Sequence, residues 1–324
     1  MWAYPDSQNG QDECRDERMI HAGVSERVGW PCVVLLAVVS MACRQVPSDG
    51  VGQAPRLSVV VTMSILGDFA SGIGGDHVDV RTIVPVGGDP HTYEPVPSDA
   101  VALADADVVV ANGLGLEPWF LPLSSHVTGE LVFAGEALAD PVQTDKGLVD
   151  PHLWMVPPFV ADGYVPEITR ALASAAPHLA GAFEEMAEAL RQRLYGLDED
   201  LRAQLDVLVR RDLVTSHDAY SYFADHYGLN VVATVIGVTT EEDPSARHIA
   251  SVVDTIRRLD VPTIFLETTI NPALIEQVAR DAGVRIGEPL YGDSVGPPGS
   301  GAEHYESMMR WNVRAIIDGL GTSP

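Results

Sequence analysis

Apolar and polar positions along the chain fall into two rhythms that take turns. Continuous apolar, β-branched runs at LSVVVTM (57–63), VDVRTIVP (78–85), DVVVAN (107–112) and LVFAG (131–135) read as buried strands. Helical spacing fills SILGDFASGIGG (64–75), with Ser64 at the cap position and glycine at the end, and PSDAVALADA (97–106), which opens on proline. The alternation returns further on. Strands are predicted over 212–216, 229–237, 261–268 and 284–289, and helices over 217–228, 244–260, 271–283 and 302–320. Between the two blocks, Leu179, Phe183, Met186, Leu190, Leu194, Leu197, Leu201, Leu205 and Leu208 recur every three or four residues. That stripe predicts one helix of roughly 30 residues, about 45 Å long. Gly196 lies inside it and costs about 1 kcal/mol relative to alanine, which makes a bend possible there. The stripe also fits a heptad, so a coiled coil is a competing reading. A repeated βα rhythm means mostly parallel sheets covered by helices. The fold predicted is α/β with two lobes, each a mostly parallel sheet flanked by helices, at 57–176 and 210–324, joined by one long connecting helix at 177–209.

The first 56 residues do not follow either rhythm. Arg27 precedes the apolar run WPCVVLLAVVSMAC (30–43), which is too short to remain across a membrane but suits the apolar core of a secretory signal. Small residues ahead of Cys43 match the end of a bacterial lipoprotein signal, apart from Ser40, where an aliphatic residue is usual. Residues 1–43 are therefore expected to form a signal peptide and Cys43 to carry a lipid anchor, with RQVPSDGVGQAPR (44–56) as a flexible tether. Ordinary cleavage after Ala42 is the alternative. Residues 1–18 are polar and precede the signal, and Met19 is a second possible start. The expected location is extracytoplasmic: a membrane-anchored lipoprotein or a periplasmic protein.

Composition narrows the chemistry. The three cysteines, Cys14, Cys32 and Cys43, all lie in this leader, so the body has no disulfide scaffold, cysteine nucleophile or thiolate zinc site. The net charge of -26 argues against a nucleic-acid partner. An acidic surface otherwise signals no more than solubility.

The word Asp-Pro-His occurs twice, at 89–91 and 150–152, where average residue frequencies predict about 0.02 occurrences. Proline fixes its own φ and keeps the preceding residue out of the helical region, so each word is a stiff loop presenting an imidazole. His217 follows the strand DLVTS and is placed at the opening of a helix. Asp293 sits in PLYGDSVGPPG, a loop stiffened by Gly and Pro. Ligands of α/β sheets collect beyond the carboxyl ends of strands. His91, His152, His217 and Asp293 thus form a candidate metal site whose nitrogen and oxygen donors suit four-coordinate Zn²⁺. Asp89 and Asp150 are expected to bond their own loop backbones. Glu267, at the end of IFLET, is placed either behind a ligand or as an alternative ligand. Trp154, Tyr93, Tyr220 and Tyr222 are read as packing around the site. His77, His126 and His178 read as surface residues, and His226 and His248 as packing or capping residues within helices.

GGDPHTYEPVPSD, VDPHLWMVP, VTSHDAYSYFADHYGL and GDSV, in this order, resemble the signature segments of the zinc- and manganese-binding solute receptors of ABC importers. The resemblance covers roughly residues 57–320, including the long helix and HYESMMRWNVRAI near the end. It implies a rigid two-lobed receptor with the ion buried between lobes, ligands at His91, His152, His217 and Asp293, and delivery to a membrane permease. Relatives that favour manganese usually carry Glu at the third position, so His217 points to zinc, with Mn²⁺ as the alternative cargo. Many zinc members carry a His-rich loop before the second Asp-Pro-His, whereas DPVQTDKGLVDPH has no additional histidine. The expected partners are the metal ion and the permease, with the receptor a monomer and not an enzyme. A zinc hydrolase is the rival class, but catalytic zinc keeps a water position open, and a fourth protein ligand closes it. HExxH is absent. A receptor for a metal chelate would need a broad apolar cleft instead. From the reference imidazole pKa of about 6.5, binding is expected to fade as pH falls toward about 6.

Overall fold

Leu57–Val61 (β1) and Val108–Ala111 (β3) form the centre of a four-stranded parallel sheet, with Val78–Thr82 (β2) beside β1 and Glu130–Phe133 (β4) beside β3. This computed structural model describes residues 55–321 except 139–142, 144–146 and 242. The signal segment with Cys43, and all but the last two residues of the tether, lie outside the described residues. The valine runs follow from helices on both faces of the sheet. Val59, Val61, Val108 and Val110 face the main core, shared with helix Ser64–Gly74 (α1). The alternate residues Val60 and Val109 face a smaller cluster with Leu103 of helix Pro97–Asp105 (α2) and Phe120.

One helical stretch was not legible in the pattern. Pro157–Phe159 (α3) runs through a π-turn, Val160–Tyr164, into Val165–Ala175 (α4). Val160, Ala161, Tyr164, Val165, Ile168 and Leu172 are buried at helical spacing, but Pro157, Pro158, Gly163 and Pro166 read as helix breakers along the same stretch. Pro166 also lacks the N–H that an α ladder needs, consistent with the π-turn just before it.

The long stripe forms Ala180–Leu205 (α5), a continuous α-helix of 26 residues, somewhat shorter than expected. Its buried face, Phe183, Leu190, Leu194, Leu197, Leu201 and Leu205, packs on α1 and α4 of the first lobe and on Tyr305–Leu320 (α9) of the second. The heptad-like spacing therefore serves an internal core shared by the two lobes.

In the second lobe, Asp212–Thr215 (β5) pairs in parallel with Asn230–Thr234 (β6), and Thr263–Ile264 (β7) with Arg285–Ile286 (β8). A parallel bridge between Thr215 and Phe265 joins the two pairs. The helices are Ser221–Tyr227 (α6), Ala246–Leu259 (α7), Pro272–Ala282 (α8) and α9. Two expectations are corrected. The helix predicted from 217 begins only at Ser221, so His217 lies in the non-helical link after β5. Ser64 is the first helical residue of α1 and not its cap; Met63 holds the cap position, and the Ser64 hydroxyl bonds elsewhere. By contrast Ser245 and Asn271 do cap their helices, accepting from His248 N at 3.2 Å and Ala273 N at 3.0 Å. Among the described residues no helix is long and apolar enough to cross a membrane.

Gly196 is exposed on α5, and a Cβ built there meets nothing within 4 Å. Gly196→Ala should therefore stabilise the protein by roughly 0.5–1 kcal/mol, through helix propensity and a less free unfolded chain. Chemical denaturation would check this. A loss of stability would mean that the helix needs its glycine.

Candidate metal centre

Both Asp-Pro-His words fold into the same small turn. The first lies after β2, where Asp89 Oδ1 accepts His91 N at 2.8 Å and Oδ2 accepts Thr92 Oγ1 at 3.0 Å. The second lies on the link after β4, where Asp150 Oδ1 accepts His152 N at 3.0 Å. An aspartate bonding the backbone two residues on, locked by the intervening proline, explains why one word serves at two places. The turns differ in their second bond. Asp150 Oδ1 also meets His152 Nδ1 at 2.7 Å, which aims Nε2 inward. Asp89 Oδ2 reaches across the lobes and accepts Thr240 Oγ1 at 2.5 Å.

His217 is oriented from behind. Glu267 Oε1 accepts His217 N at 3.0 Å and Ser216 Oγ at 2.8 Å, while Oε2 lies 2.8 Å from His217 Nδ1. Glu267 is thus a support for His217 and lies outside the donor cluster. Gly292 leaves the room for it, because a Cβ there would collide with Glu267 Oε2.

The structure brings His91, His152, His217 and Asp293 together. One donor atom from each lies within 4.8 Å of all the others, and all four residues are buried. His217 Nε2 is 3.3 Å from His152 Nε2, and Asp293 oxygens lie 3.5 Å from each of these nitrogens and 3.9 Å from His91 Nε2. A tetrahedron with bonds of about 2.1 Å has edges of about 3.4 Å, so the cluster has the size of one such ion's shell. Both Asp293 oxygens and both His91 nitrogens are buried without a hydrogen-bond partner. Unpaired buried polar groups are costly, so they point to a function.

Burial separates the protonation states. It pushes His91 and His152 well below the ordinary imidazole value, and the neighbouring histidines push the same way. Burial also opposes charge on His217, but Glu267 and Asp293 together outweigh it and hold that imidazole up at about 10. Burial raises Asp293 to about 7, against the pull of His217, and Asp150 to about 6. Burial would raise Glu267 too, yet its bonds to His217 hold it below the ordinary value. The metal-free site therefore keeps a proton on His217, between two carboxylates.

The remaining sequence candidates separate cleanly. Trp154 packs edge-on to His152, and its Nε1 donates to Gly292 O at 2.8 Å; Tyr222 OH donates to Asp150 O at 3.0 Å. Tyr93 lies apart, bonded to Asp99 and packed edge-to-face with Trp119. His77, His126 and His178 are exposed. His226 pairs with Asp198 at 2.7 Å, tying α6 to α5. Sequence reasoning missed Asn112 and Glu117. Asn112 Nδ2 donates to Pro151 O at 3.3 Å, and buried Glu117 accepts Thr62 Oγ1, Asn112 N and Gly113 N, bracing the second turn. The only signal was a polar residue closing an apolar strand, which is common.

Comparison with known proteins gives a consistent picture. A family model described as "Zinc-uptake complex component A periplasmic" (ZnuA) matches residues 59–319. The chain is 36% identical to the manganese-binding lipoprotein MntA of Halalkalibacterium halodurans over 292 residues, covering 89% of this chain and 96% of that one. It is 29% identical over 302 residues to the iron ABC transporter substrate-binding lipoprotein MtsA of Streptococcus pyogenes, covering 89% and 94%. Among solved structures, the periplasmic zinc-binding protein TroA of Treponema pallidum superposes with a TM-score of 0.78 at 27% identity, covering 82% of this chain and 99% of that one.

The crowding at Gly292 yields a test of the support behind His217. Gly292→Ala should displace Glu267 and lower the stability of the metal-free protein by roughly 1–3 kcal/mol, as overpacking of a buried site does. Urea denaturation measures this. Parental stability would show that Glu267 has room to move without consequence.

Proposed function

The chain belongs to the ZnuA family of metal-binding substrate receptors of ABC transporters, which are not enzymes, and we propose that its ion is zinc, held by His91, His152, His217 and Asp293. The observation that carries the proposal is the buried convergence of three imidazoles and one carboxylate from four separate loops, with donor atoms within 4.8 Å of one another. Imidazole favours zinc over manganese by donor type and by the general order of divalent affinities. Four protein donors fill a tetrahedral shell, which suits capture and release rather than hydrolysis of a substrate on an open position. The receptor delivers the ion to a membrane permease, acts as a monomer, and is held outside the cytoplasm by a lipid on Cys43. A manganese-preferring receptor is the second reading, and the 36% identity to a manganese-binding lipoprotein favours it.

Competition titrations on the purified full chain decide between the two. Zinc should bind at least about a hundredfold more tightly than manganese. His91→Ala, His152→Ala and His217→Ala should each weaken zinc by at least about tenfold, and Asp293→Ala by less, since water can take its place. Equal affinities, or a preference for manganese, would move the assignment to the second reading. Parental affinity in two of the histidine variants would misplace the site.

Protonation supplies an independent check and revises the pH window expected from the reference imidazole value. His91 and His152 are held neutral by burial, so their protonation limits binding only well below the ordinary imidazole value. His217, held up at about 10, keeps its proton at pH 7.5 and must lose it to ligate. Zinc binding at pH 7.5 should release about one proton, and affinity should rise by about tenfold per pH unit from there toward about 10. Calorimetry in buffers of different ionisation enthalpy counts the proton. Release of none would remove either the charge on His217 or its role as a ligand.

A further inference from the structure

The loop that carries Asp293 is fastened to its own lobe at its ends and to the opposite lobe in its middle. At one end, Tyr291 N donates to Asn312 Oδ1 at 2.9 Å and Asn312 Nδ2 donates to Tyr291 O at 2.8 Å. At the other, Gly296 N donates to Ala302 O at 2.7 Å. Between them the partners belong to the first lobe. Trp154 Nε1 holds Gly292 O, Gly87 N donates to Ser294 Oγ at 2.7 Å, and Val295 N donates to Ser64 Oγ at 3.1 Å.

The two serines meet each other as well, with Oγ atoms 3.1 Å apart. A hydroxyl has one proton to donate. That of Ser294 goes to Val295 O at 2.8 Å, so Ser64 must donate to Ser294 while accepting from Val295 N. A single arrangement of protons thus satisfies all these contacts. Both side chains are buried, Ser64 at 8% and Ser294 at 1% exposure. A serine between a strand and a helix ordinarily caps the helix, yet the Ser64 hydroxyl is turned across the lobes instead. Asp293 has no hydrogen-bond partner on either oxygen, so its direction is set by the residues that flank it.

We propose that Ser64 and Ser294 are positioning residues that keep Asp293 in the donor cluster only while the lobes are together, and so set how long a captured ion stays. Neither serine is among the four donors, so the pair governs dwell time and leaves the choice between ions unchanged. The inference rests on the ligand role proposed for Asp293. Separating the lobes breaks the Ser64–Ser294 bond and the bonds to Gly87 N and Val295 N together, and frees Asp293 to turn away from the ion.

The test is metal release from the purified full chain, loaded with zinc or with manganese, followed by stopped-flow with excess chelator. Ser64→Ala and Ser294→Ala should each raise koff by roughly tenfold for both ions, in the range typical of residues that orient metal ligands. The zinc-to-manganese affinity ratio should stay within about threefold of the parent, and Ser64→Thr, which keeps the hydroxyl, should release at close to the parental rate. If one alanine variant does not fold, the other removes the same bond from the opposite lobe and decides the matter. Parental koff in the serine variants, with faster release in Asp293→Ala, would overturn the inference and leave the metal site standing. Parental koff in Asp293→Ala as well would overturn both. A lower Tm of the metal-free protein with no change in koff would make the serines mere packing, and a shifted affinity ratio would also refute the dwell-time role.

Discussion

Asp293 is a carboxylate buried with no hydrogen bond of its own, and the rest of the site is arranged around that burial. A buried charge is tolerated only when an opposite charge answers it. In the metal-free protein the answer is the proton on His217, raised because Asp293 and Glu267 face it from two sides. On the proposed reading, a divalent ion at the same point would supply more charge and displace that proton.

This constraint explains why the donors come from four loops and two lobes. No single loop can surround a point with four groups while keeping water out. Parallel sheets solve the problem by gathering the links that follow their strands on one side. His91 follows β2, His152 lies on the link after β4, His217 follows β5, and Asp293 comes after β8. The shared core along α5 joins the two lobes, packing on α1, α4 and α9.

Much of this was legible in the residues. The four apolar runs of the first block fall on its four strands, the leucine stripe is the buried face of α5, and the doubled Asp-Pro-His word marks two turns that share the same bond from aspartate to the histidine backbone. What escaped notice had physical reasons. The helix from 157 to 175 keeps helical spacing of its buried residues, but its prolines and Gly163 read as breakers. The stretch from His217 to Tyr220 has helix-compatible composition, but His217 is held by Glu267 from β7's side of the sheet, and tertiary bonds override local preference. Ser64 looked like a cap because its partner, Ser294, is 230 residues away, and no local pattern can announce such a bond. Glu267 was seen as a carboxylate near the site, yet only the fold decides whether it faces an ion or the back of an imidazole.

That last distinction bears on the choice of ion. A carboxylate that ligates directly gives a hard oxygen donor and a negative charge at the same point. Here the two are separated. His217 gives a nitrogen donor, while Glu267 sits on its far side at Nδ1. The negative charge is kept, but it acts through the imidazole ring from several ångströms further out. Charge attracts all divalent ions alike, whereas donor type discriminates among them. Moving the charge behind the ring thus preserves general attraction while the contact itself becomes nitrogen. Two of the three imidazoles are backed in this way, His152 by Asp150 and His217 by Glu267. His91 is not: its Nδ1 has no hydrogen-bond partner, and Asp89 Oδ2 accepts Thr240 of the other lobe. The first Asp-Pro-His turn is thus tied to the other lobe through Asp89 and Thr240, while the second is tied to its own imidazole.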